Sequence, residues 1–359
     1  MNFKRQYIFI TCFILFQLAT FAQNKFIKFN NKDIYYEGRI AYTDTASILT
    51  WPGSAVKINF KGTELKAVLR DTDSSDYFNV IIDKNKIYKI HPGKLKSTYI
   101  LASGLPYGNH SVELFKRTES DKGHCLFYGF SFDGSLLRAQ SFKRKRFIEY
   151  YGNSITCGYA IEDSTGDSGK GYLENNYLSY AAITARHFNA TFYCIAKSGI
   201  GVTVSWFPLI MPEMYDRLIE SEPNVKWNFK TCQPDIVVID LFQNDSWIVH
   251  MKQNPQYIAR LEGRDLSDSF FINSYYKFLL SIRSKYKRSK IICTLGSMDA
   301  SKDGSIWKTY ISAAVDQMKD PDVLIHFFPY KNTPGHPKIA EQRAMAESLI
   351  TFISRKVKW

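Results

Sequence analysis

Two hydrophobic patterns divide the chain near residue 146. Residues 24–140 contain short runs in which apolar and polar side chains alternate, which is the period of a half-buried β-strand. Turns rich in Gly, Asp, Asn and Pro separate these runs. The runs are Val56–Phe60, Leu65–Leu69, Tyr77–Ile82, Ser111–Phe115 and Leu126–Phe130. Many short strands joined by such turns predict an all-β sandwich of jelly-roll type over residues 24–140.

From residue 147 to residue 359, strand-like apolar runs alternate with helical ones. The predicted strands are Phe147–Tyr151, Ala190–Ala196, Ile236–Leu241, Lys290–Leu295 and Val323–Phe328. The predicted helices are Tyr180–His187, Phe270–Lys285, Ile306–Met318 and Ile339–Arg355. This alternation predicts an α/β domain, a three-layer sandwich with helices on both faces of a parallel sheet. In such a sheet, ligands bind at the carboxyl ends of the strands.

The first 22 residues resemble a secretory signal peptide. Lys4 and Arg5 form a basic start, Tyr7–Leu18 is apolar, and Thr20-Phe21-Ala22 resembles a cleavage site. We therefore expect a secreted or periplasmic protein without stable membrane insertion. An uncleaved membrane anchor is the alternative, although the apolar run is short for a spanning helix.

Charge and cysteine content narrow the range of partners. The formal net charge is +13, and the basic residues are scattered except for the run 143–146. We interpret residues 141–146 as a basic linker between domains and expect no nucleic-acid partner. Five cysteines follow the signal peptide, an odd number at wide spacings, so we predict neither a disulfide framework nor a metal site. No cofactor is expected, and no oligomeric state is predicted.

Four residue types used in acyl transfer stand at the predicted functional edge of the sheet. Ser154 follows the first strand, Gly199 the second and Asn244 the third, and His336 precedes the last helix. An exposed serine beside backbone N–H groups can act as a nucleophile whose oxyanion those groups stabilise. Together the four residues predict an acyl-transfer site.

The chain resembles the SGNH (GDSL-type) hydrolases, and most closely carbohydrate esterase family 2, which joins a β-sandwich to an SGNH domain. The blocks that carry the resemblance are Ile100–Leu105, His110–Leu114, Arg117–Glu119, Asn153–Tyr159, Ser198–Gly201, Met211–Arg217 and His336–Pro337. The resemblance implies that Ser154 is the nucleophile and His336 the general base. It also implies an oxyanion hole formed by the N–H groups of Ser154 and Gly199 and the side-chain amide of Asn244.

Three positions depart from the family pattern. Asn153 replaces the usual Asp before the serine, and Phe242 replaces a Gly before Asn244. The third departure is the missing triad acid. Many relatives carry an Asp two or three residues before the histidine, where this chain has Pro334 and Thr333. Members of the family resemble a Ser–His dyad in which a backbone carbonyl orients the histidine. We therefore predict that the carbonyl of Pro334 orients His336, unless a carboxylate lies within reach of the second ring nitrogen.

The function implied by the resemblance is removal of O-acetyl groups from a glycan such as xylan or mannan, with an acetylated oligo- or polysaccharide as partner. Trp247, Phe242 and Glu174 are candidates for contact with the sugar. Two alternatives remain open: a glycan-binding protein on an inactive scaffold, and an esterase or lipase of other acyl specificity on the same fold.

Overall fold

The computed structural model describes residues 24–359. The predicted signal peptide, residues 1–22, lies outside the described residues. No helix within the described range is long and apolar enough to cross a membrane.

The first part of the described chain consists of two antiparallel sheets. Its strands are β1 (Lys25–Lys28), β2 (Tyr35–Glu37), β3 (Ile40–Tyr42), β4 (Ser47–Leu49), β5 (Ala55–Gly62), β6 (Leu65–Asp71), β7 (Phe78–Ile82), β8 (Lys86–Ile90), β9 (Ser97–Ala102), β10 (Gly108–Lys116), β11 (Cys125–Phe132) and β12 (Ser135–Leu137). One sheet has the order β3-β4-β11-β6-β9, with β1 also paired to β11. The other has the order β12-β5-β10-β7-β8, with β2 also paired to β5.

Alternation along these strands forms the core between the two sheets. In β6, Leu65, Ala67 and Leu69 are buried, and the residues between them are more exposed. In the other sheet, the register of β10 on β5 places Leu114 opposite Val56. All five residues belong to one apolar cluster, so the period-2 pattern of the sequence becomes the inner surface of a β-sandwich.

The second part is a five-stranded parallel sheet of order β14-β13-β15-β16-β17. Its strands are β13 (Arg146–Gly152), β14 (Ala190–Ala196), β15 (Ile236–Asp240), β16 (Lys290–Leu295) and β17 (Val323–Phe327). Its helices are α1 (Ser154–Cys157), α2 (Tyr180–His187), α3 (Met211–Met214), α4 (Gln243–Ile248), α5 (Pro255–Arg260), α6 (Asp268–Lys285), α7 (Ile306–Met318) and α8 (Ile339–Lys356).

Helices cover both faces of this parallel sheet. Helices α6 and α7 contribute Phe271, Tyr275 and Ile311 to the apolar cluster on one face. Helices α2 and α8 contribute Ala185 and Leu349 to the cluster on the other face. The three layers confirm the predicted α/β sandwich that follows an all-β region.

The observed elements agree closely with the predicted ones. Strands Ala190–Ala196 and Lys290–Leu295 and helices Tyr180–His187 and Ile306–Met318 have the predicted bounds. The other predicted elements of the second part differ by one or two residues at their ends. The short helices α3, α4 and α5 were not predicted, because elements of four to six residues carry too little periodicity to identify.

A buried arginine connects the two parts of the chain. Arg39, which precedes β3, is 1% exposed, and its guanidinium contacts Glu149 at 2.9 Å and the Tyr151 hydroxyl at 2.7 Å on β13. It also donates to the carbonyls of Tyr215 and Arg217. A buried cation with a carboxylate and three further acceptors fixes the first part of the chain against the parallel sheet.

We predict that Arg39→Met destabilises the protein by about 3–5 kcal/mol, because it leaves the Glu149 carboxylate buried without its cation. The urea midpoint measures this effect. Arg70→Met is the matched control, because Arg70 is exposed on β6. Equal midpoints for the two variants would contradict the structural role of Arg39.

Candidate active site

Ser154 stands at the start of α1, directly after the carboxyl end of β13. A Cβ on Gly152 would lie 2.0 Å from the Thr156 hydroxyl, so only glycine fits this turn. The side-chain oxygen of Asn153 accepts the N–H of Ile155 at 2.9 Å, and its amide donates to the Asp240 carbonyl at 3.3 Å. A carboxylate could not make the second bond, so asparagine suits this loop.

His336 reaches Ser154 from the loop before α8. Its Nε2 lies 2.8 Å from the Ser154 hydroxyl. The ring of Tyr159 packs against the imidazole, with 4.7 Å between ring centroids. This is the hydrogen bond that a general base needs in order to take the serine proton.

The prediction that the Pro334 carbonyl orients His336 is wrong. The second ring nitrogen, Nδ1, lies 2.7 Å from a carboxylate oxygen of Asp167, and the same oxygen accepts the His336 backbone N–H at 2.8 Å. The Pro334 carbonyl instead accepts a bond from Lys331. Asp167 lies 169 residues before the histidine, so a search for an acid just before His336 could not find it.

The Asp167 carboxylate is held in its ionised form. Partial burial opposes ionisation, but hydrogen bonds from His336 and Lys338 outweigh it and hold the pKa of Asp167 below its usual range. Lys338 lies 2.8 Å from the second carboxylate oxygen. The loop itself is shaped by Asp163, whose carboxylate accepts the N–H groups of Thr165 and Ser168.

Gly199 and Asn244 lie beside one another at the same end of the sheet. Gly199 has φ +83°, which favours glycine. The Asn244 amide donates one N–H to the Ile200 carbonyl at 2.8 Å. Its second N–H is therefore available to an oxyanion.

Asp245 is buried, and its carboxylate accepts the N–H groups of Val202 and Thr203, which holds the loop after Gly199 in place.

Trp206 is a site residue that the sequence did not indicate. Its indole N–H donates to the Asn244 side-chain oxygen at 3.1 Å, which sets the orientation of that amide. Its backbone N–H donates to the Gly199 carbonyl at 3.0 Å. The side chain is 43% exposed, so a large aromatic surface faces solvent next to these two residues. It lies in a loop without regular structure, where no pattern distinguishes it from the other tryptophans.

The β-sandwich contributes a buried carboxylate to the catalytic loops. Glu119 is 1% exposed, and it accepts the Ser198 backbone N–H at 2.5 Å and also the Ser198 hydroxyl. The Cys157 thiol of α1 lies 3.7 Å from the same carboxylate. Glu119 thus contacts both the helix that begins at Ser154 and the loop that carries Gly199.

Two of the three candidates for sugar contact are wrong. Phe242 is fully buried and packs against Tyr275 and Trp307, so it forms core and not cleft wall. Its φ of +81° is the backbone conformation that the usual glycine would adopt freely. Glu174 is also buried, where it pairs with Lys122, and burial raises its pKa to about 8. Trp247 is half-buried, and its indole N–H donates to the Asp299 carboxylate. Contact between Trp247 and the sugar stays a prediction.

Within 24–359, no group of three or more His, Cys, Asp or Glu side chains has the arrangement of a metal centre.

Sequence comparison places this arrangement in a family. The family sequence described as "Carbohydrate esterase 2 N-terminal" matches residues 36–139. A structure of a family two carbohydrate esterase from Clostridium thermocellum, solved with cellohexaose, is 33% identical. The alignment covers 90% of this chain and 99% of that one, with a TM-score of 0.79. The chain belongs to carbohydrate esterase family 2.

Three further proteins are similar to this chain over most of its length. CelE of Acetivibrio thermocellus, a cellulase/esterase, is 32% identical over 348 residues, which are 92% of this chain and 40% of CelE. The chain thus spans less than half of that relative. An acetylxylan esterase / glucomannan deacetylase of Cellvibrio japonicus is 25% identical over 321 residues, 86% of this chain and 85% of the relative. A family two structure from the same organism has a TM-score of 0.82 at 21% identity, covering 92% of this chain and 97% of that one, and shares the fold.

We predict that Asp167→Asn lowers kcat/KM on a small acetate ester by about 10²–10⁴-fold, because the amide cannot stabilise the imidazolium of His336. Steady-state hydrolysis measures the effect. Asp303→Asn is the control, since Asp303 is fully exposed. If Asp167→Asn were as active as the control, Asp167 would not orient His336, and a backbone carbonyl would be the remaining candidate.

We predict that Glu119→Ala lowers kcat on the same ester by about 10²-fold, and that Glu119→Gln lowers it less. The alanine variant removes the contact that holds the Gly199 loop, and loss of one oxyanion-hole donor lowers kcat by about this factor. Glu222→Ala, on an exposed turn, is the control. The KM of Glu119→Gln should change little. A loss of thermal stability with kcat unchanged would show that Glu119 serves folding alone.

Proposed function

We propose that this family 2 protein is a serine esterase that removes O-acetyl groups from carbohydrate through Ser154, His336 and Asp167. The observation that carries the proposal is the continuous line of hydrogen bonds from the serine hydroxyl to His336, 2.8 Å, and from His336 to Asp167, 2.7 Å. A nucleophile bonded to a base that a third group orients is the arrangement used in acyl transfer.

In the first half of the reaction, the Ser154 oxygen attacks the acetyl carbonyl while Nε2 of His336 takes the serine proton. The Asp167 carboxylate stabilises the imidazolium that forms. The carbonyl oxygen becomes negatively charged and is stabilised by the N–H groups of Ser154 and Gly199 and the free N–H of Asn244. Collapse breaks the bond to the sugar oxygen, which receives the proton from His336, and leaves an acetyl group on Ser154.

In the second half, water attacks the acetyl-enzyme. His336 takes a proton from that water, and the same three donors stabilise the second oxyanion. The Ser154–acyl bond then breaks, the serine oxygen regains its proton from His336, and acetate leaves. The cycle uses only protein side chains and water.

Three facts support a carbohydrate as the leaving group. The relative from Cellvibrio japonicus is an acetylxylan esterase / glucomannan deacetylase, and the Clostridium thermocellum structure holds cellohexaose. In this chain, the exposed face of Trp206 lies beside the oxyanion donors, where it can pack against a sugar ring. We therefore propose acetylated xylan, mannan or a similar glycan as substrate.

The proposal extends to organisation and location. We propose a signal peptide over residues 1–22, a β-sandwich domain over 24–140, a linker over 141–146 and a hydrolase domain over 147–359. The basic start and the apolar run before the Thr20-Phe21-Ala22 site support export, which suits an enzyme that acts on polysaccharide.

We predict that the protein releases acetate from acetylated xylan or glucomannan and from a chromogenic acetate ester, and that Ser154→Ala lowers both rates by about 10⁴-fold or more. Enzymatic assay of acetate measures the polysaccharide reaction. Ser284→Ala, at an exposed position on α6, is the control. Faster cleavage of long-chain acyl esters would indicate a lipase instead, and folded protein that binds glycan without releasing acetate would indicate a binding protein.

We predict that Trp206→Ala raises KM for acetylated oligosaccharide by about 10-fold or more, whereas Trp206→Phe changes this KM less, because a sugar packs on the aromatic face. Both variants lose the bond to Asn244, so both should lower kcat on the small ester to a similar degree. Equal KM values for the two variants on the oligosaccharide would exclude the stacking role.

A further inference from the structure

A second cavity lies between the β-sandwich and α2. It has a volume of about 400 Å³, within the range of small-molecule sites. Strands β5, β7 and β10 line one side, and α2 with the start of β14 lines the other. Asn189 and Ala190 also line the cavity, which therefore lies at the amino end of β14.

This cavity is separate from the candidate active site. Ser154 follows the carboxyl end of β13, and β13 and β14 are parallel, with Arg146 paired to Ala190 and Gly152 paired to Ala196. Six residue steps along a strand span roughly 20 Å. A ligand in the cavity would therefore lie at the opposite end of the sheet from the reacting serine.

The cavity carries more positive than negative charge. Lys57, Lys84, Arg144 and Arg186 line it, against two carboxylates. The two carboxylates are those of Glu37 and Glu113. The buried Lys57 ammonium pairs with both, at 2.5 Å from Glu37 and 3.2 Å from Glu113. The described residues 24–359 offer no carboxylate within ion-pair distance of the other three cations.

Two of these cations are held in place by other contacts. The Arg186 guanidinium lies 3.7 Å from the centre of the Tyr177 ring, which orients its plane, and its N–H groups make no hydrogen bond to residues 24–359. Arg144, from the basic run that the sequence placed in a linker, donates to the carbonyls of Ser141 and Phe142. Both guanidinium groups are thus fixed near the cavity before any ligand arrives.

The remaining lining residues suit a sugar ring. Tyr177 and Phe142 contribute aromatic carbon atoms to the lining, and Ser111, Ser141 and Asn189 contribute hydroxyl and amide groups. Planar guanidinium forks recognise carboxylates in a bidentate manner, and aromatic faces pack against the C–H face of a sugar. A small inorganic anion would contact the cations and leave the apolar part of the lining without a contact.

We infer that this inter-domain cavity is a second binding site, and that its ligand is a sugar bearing a carboxylate, a uronic acid. Arg186 and Arg144 bind the carboxylate, and Tyr177 and Phe142 contact the ring. The inference goes beyond the esterase function proposed above and does not depend on it.

The test is isothermal titration of the intact protein with D-glucuronate, D-glucose and inorganic phosphate. Glucuronate should bind saturably, glucose about tenfold more weakly or worse, and an equal concentration of phosphate should not displace glucuronate. Arg186→Gln should weaken glucuronate binding about tenfold or more, and Arg186→Lys should weaken it less than Arg186→Gln, because it keeps the charge without the fork.

Arg288→Gln is the matched control, because it removes an exposed arginine from the turn before β16. Arg186→Gln should unfold at the same thermal midpoint as the wild-type protein, which shows that it is folded. Equal binding by glucose, tighter binding of phosphate, or equal glucuronate affinity in Arg186→Gln and Arg288→Gln would each overturn the proposal. These readouts are binding measurements, so they stand even if the esterase reaction were absent.

Discussion

The carboxylate of Glu119 is the contact on which the geometry of the site depends. It comes from the β-sandwich, yet it accepts the N–H and hydroxyl of Ser198 and lies against Cys157 of the nucleophile helix. Burial raises the pKa of Glu119, and hydrogen bonds from Ser198 oppose that rise. Such a group remains buried only while its partners are in place. The β-sandwich therefore helps to hold the loops of the candidate site in place, and Arg39 fixes it from a second direction.

The hydrogen-bonded series Ser154, His336 and Asp167 depends on contacts of the same kind. Asp167 reaches His336 from a loop in the first half of the hydrolase region, and Lys338 holds the other carboxylate oxygen. Lys338 also donates to the carbonyls of Ala160 and Gly166, so one ammonium group ties the loop to the start of α8. An acid can thus orient the histidine without occupying the usual position just before it.

The sequence predicted the fold well because both regions have clean periodicity. Four elements of the parallel sheet region have the predicted bounds, and Ser154, Gly199, Asn244 and His336 lie together at one end of that sheet. Spacing along the chain did not reveal Asp167 or Trp206, because both lie in loops that approach the site only in three dimensions. It also misplaced Phe242, whose burial beneath the loop depends on helices α6 and α7 that pack there later in the chain.

The proposed reaction passes through a covalent acetyl group on Ser154. The most direct measurement is rapid acid quenching of the protein with a chromogenic acetate ester, followed by peptide mass spectrometry. We expect one acetyl group on the peptide that contains Ser154, formed within the first turnover, and none in Ser154→Ala. Acetate release from the wild-type protein without this adduct, or an adduct on another residue, would contradict it.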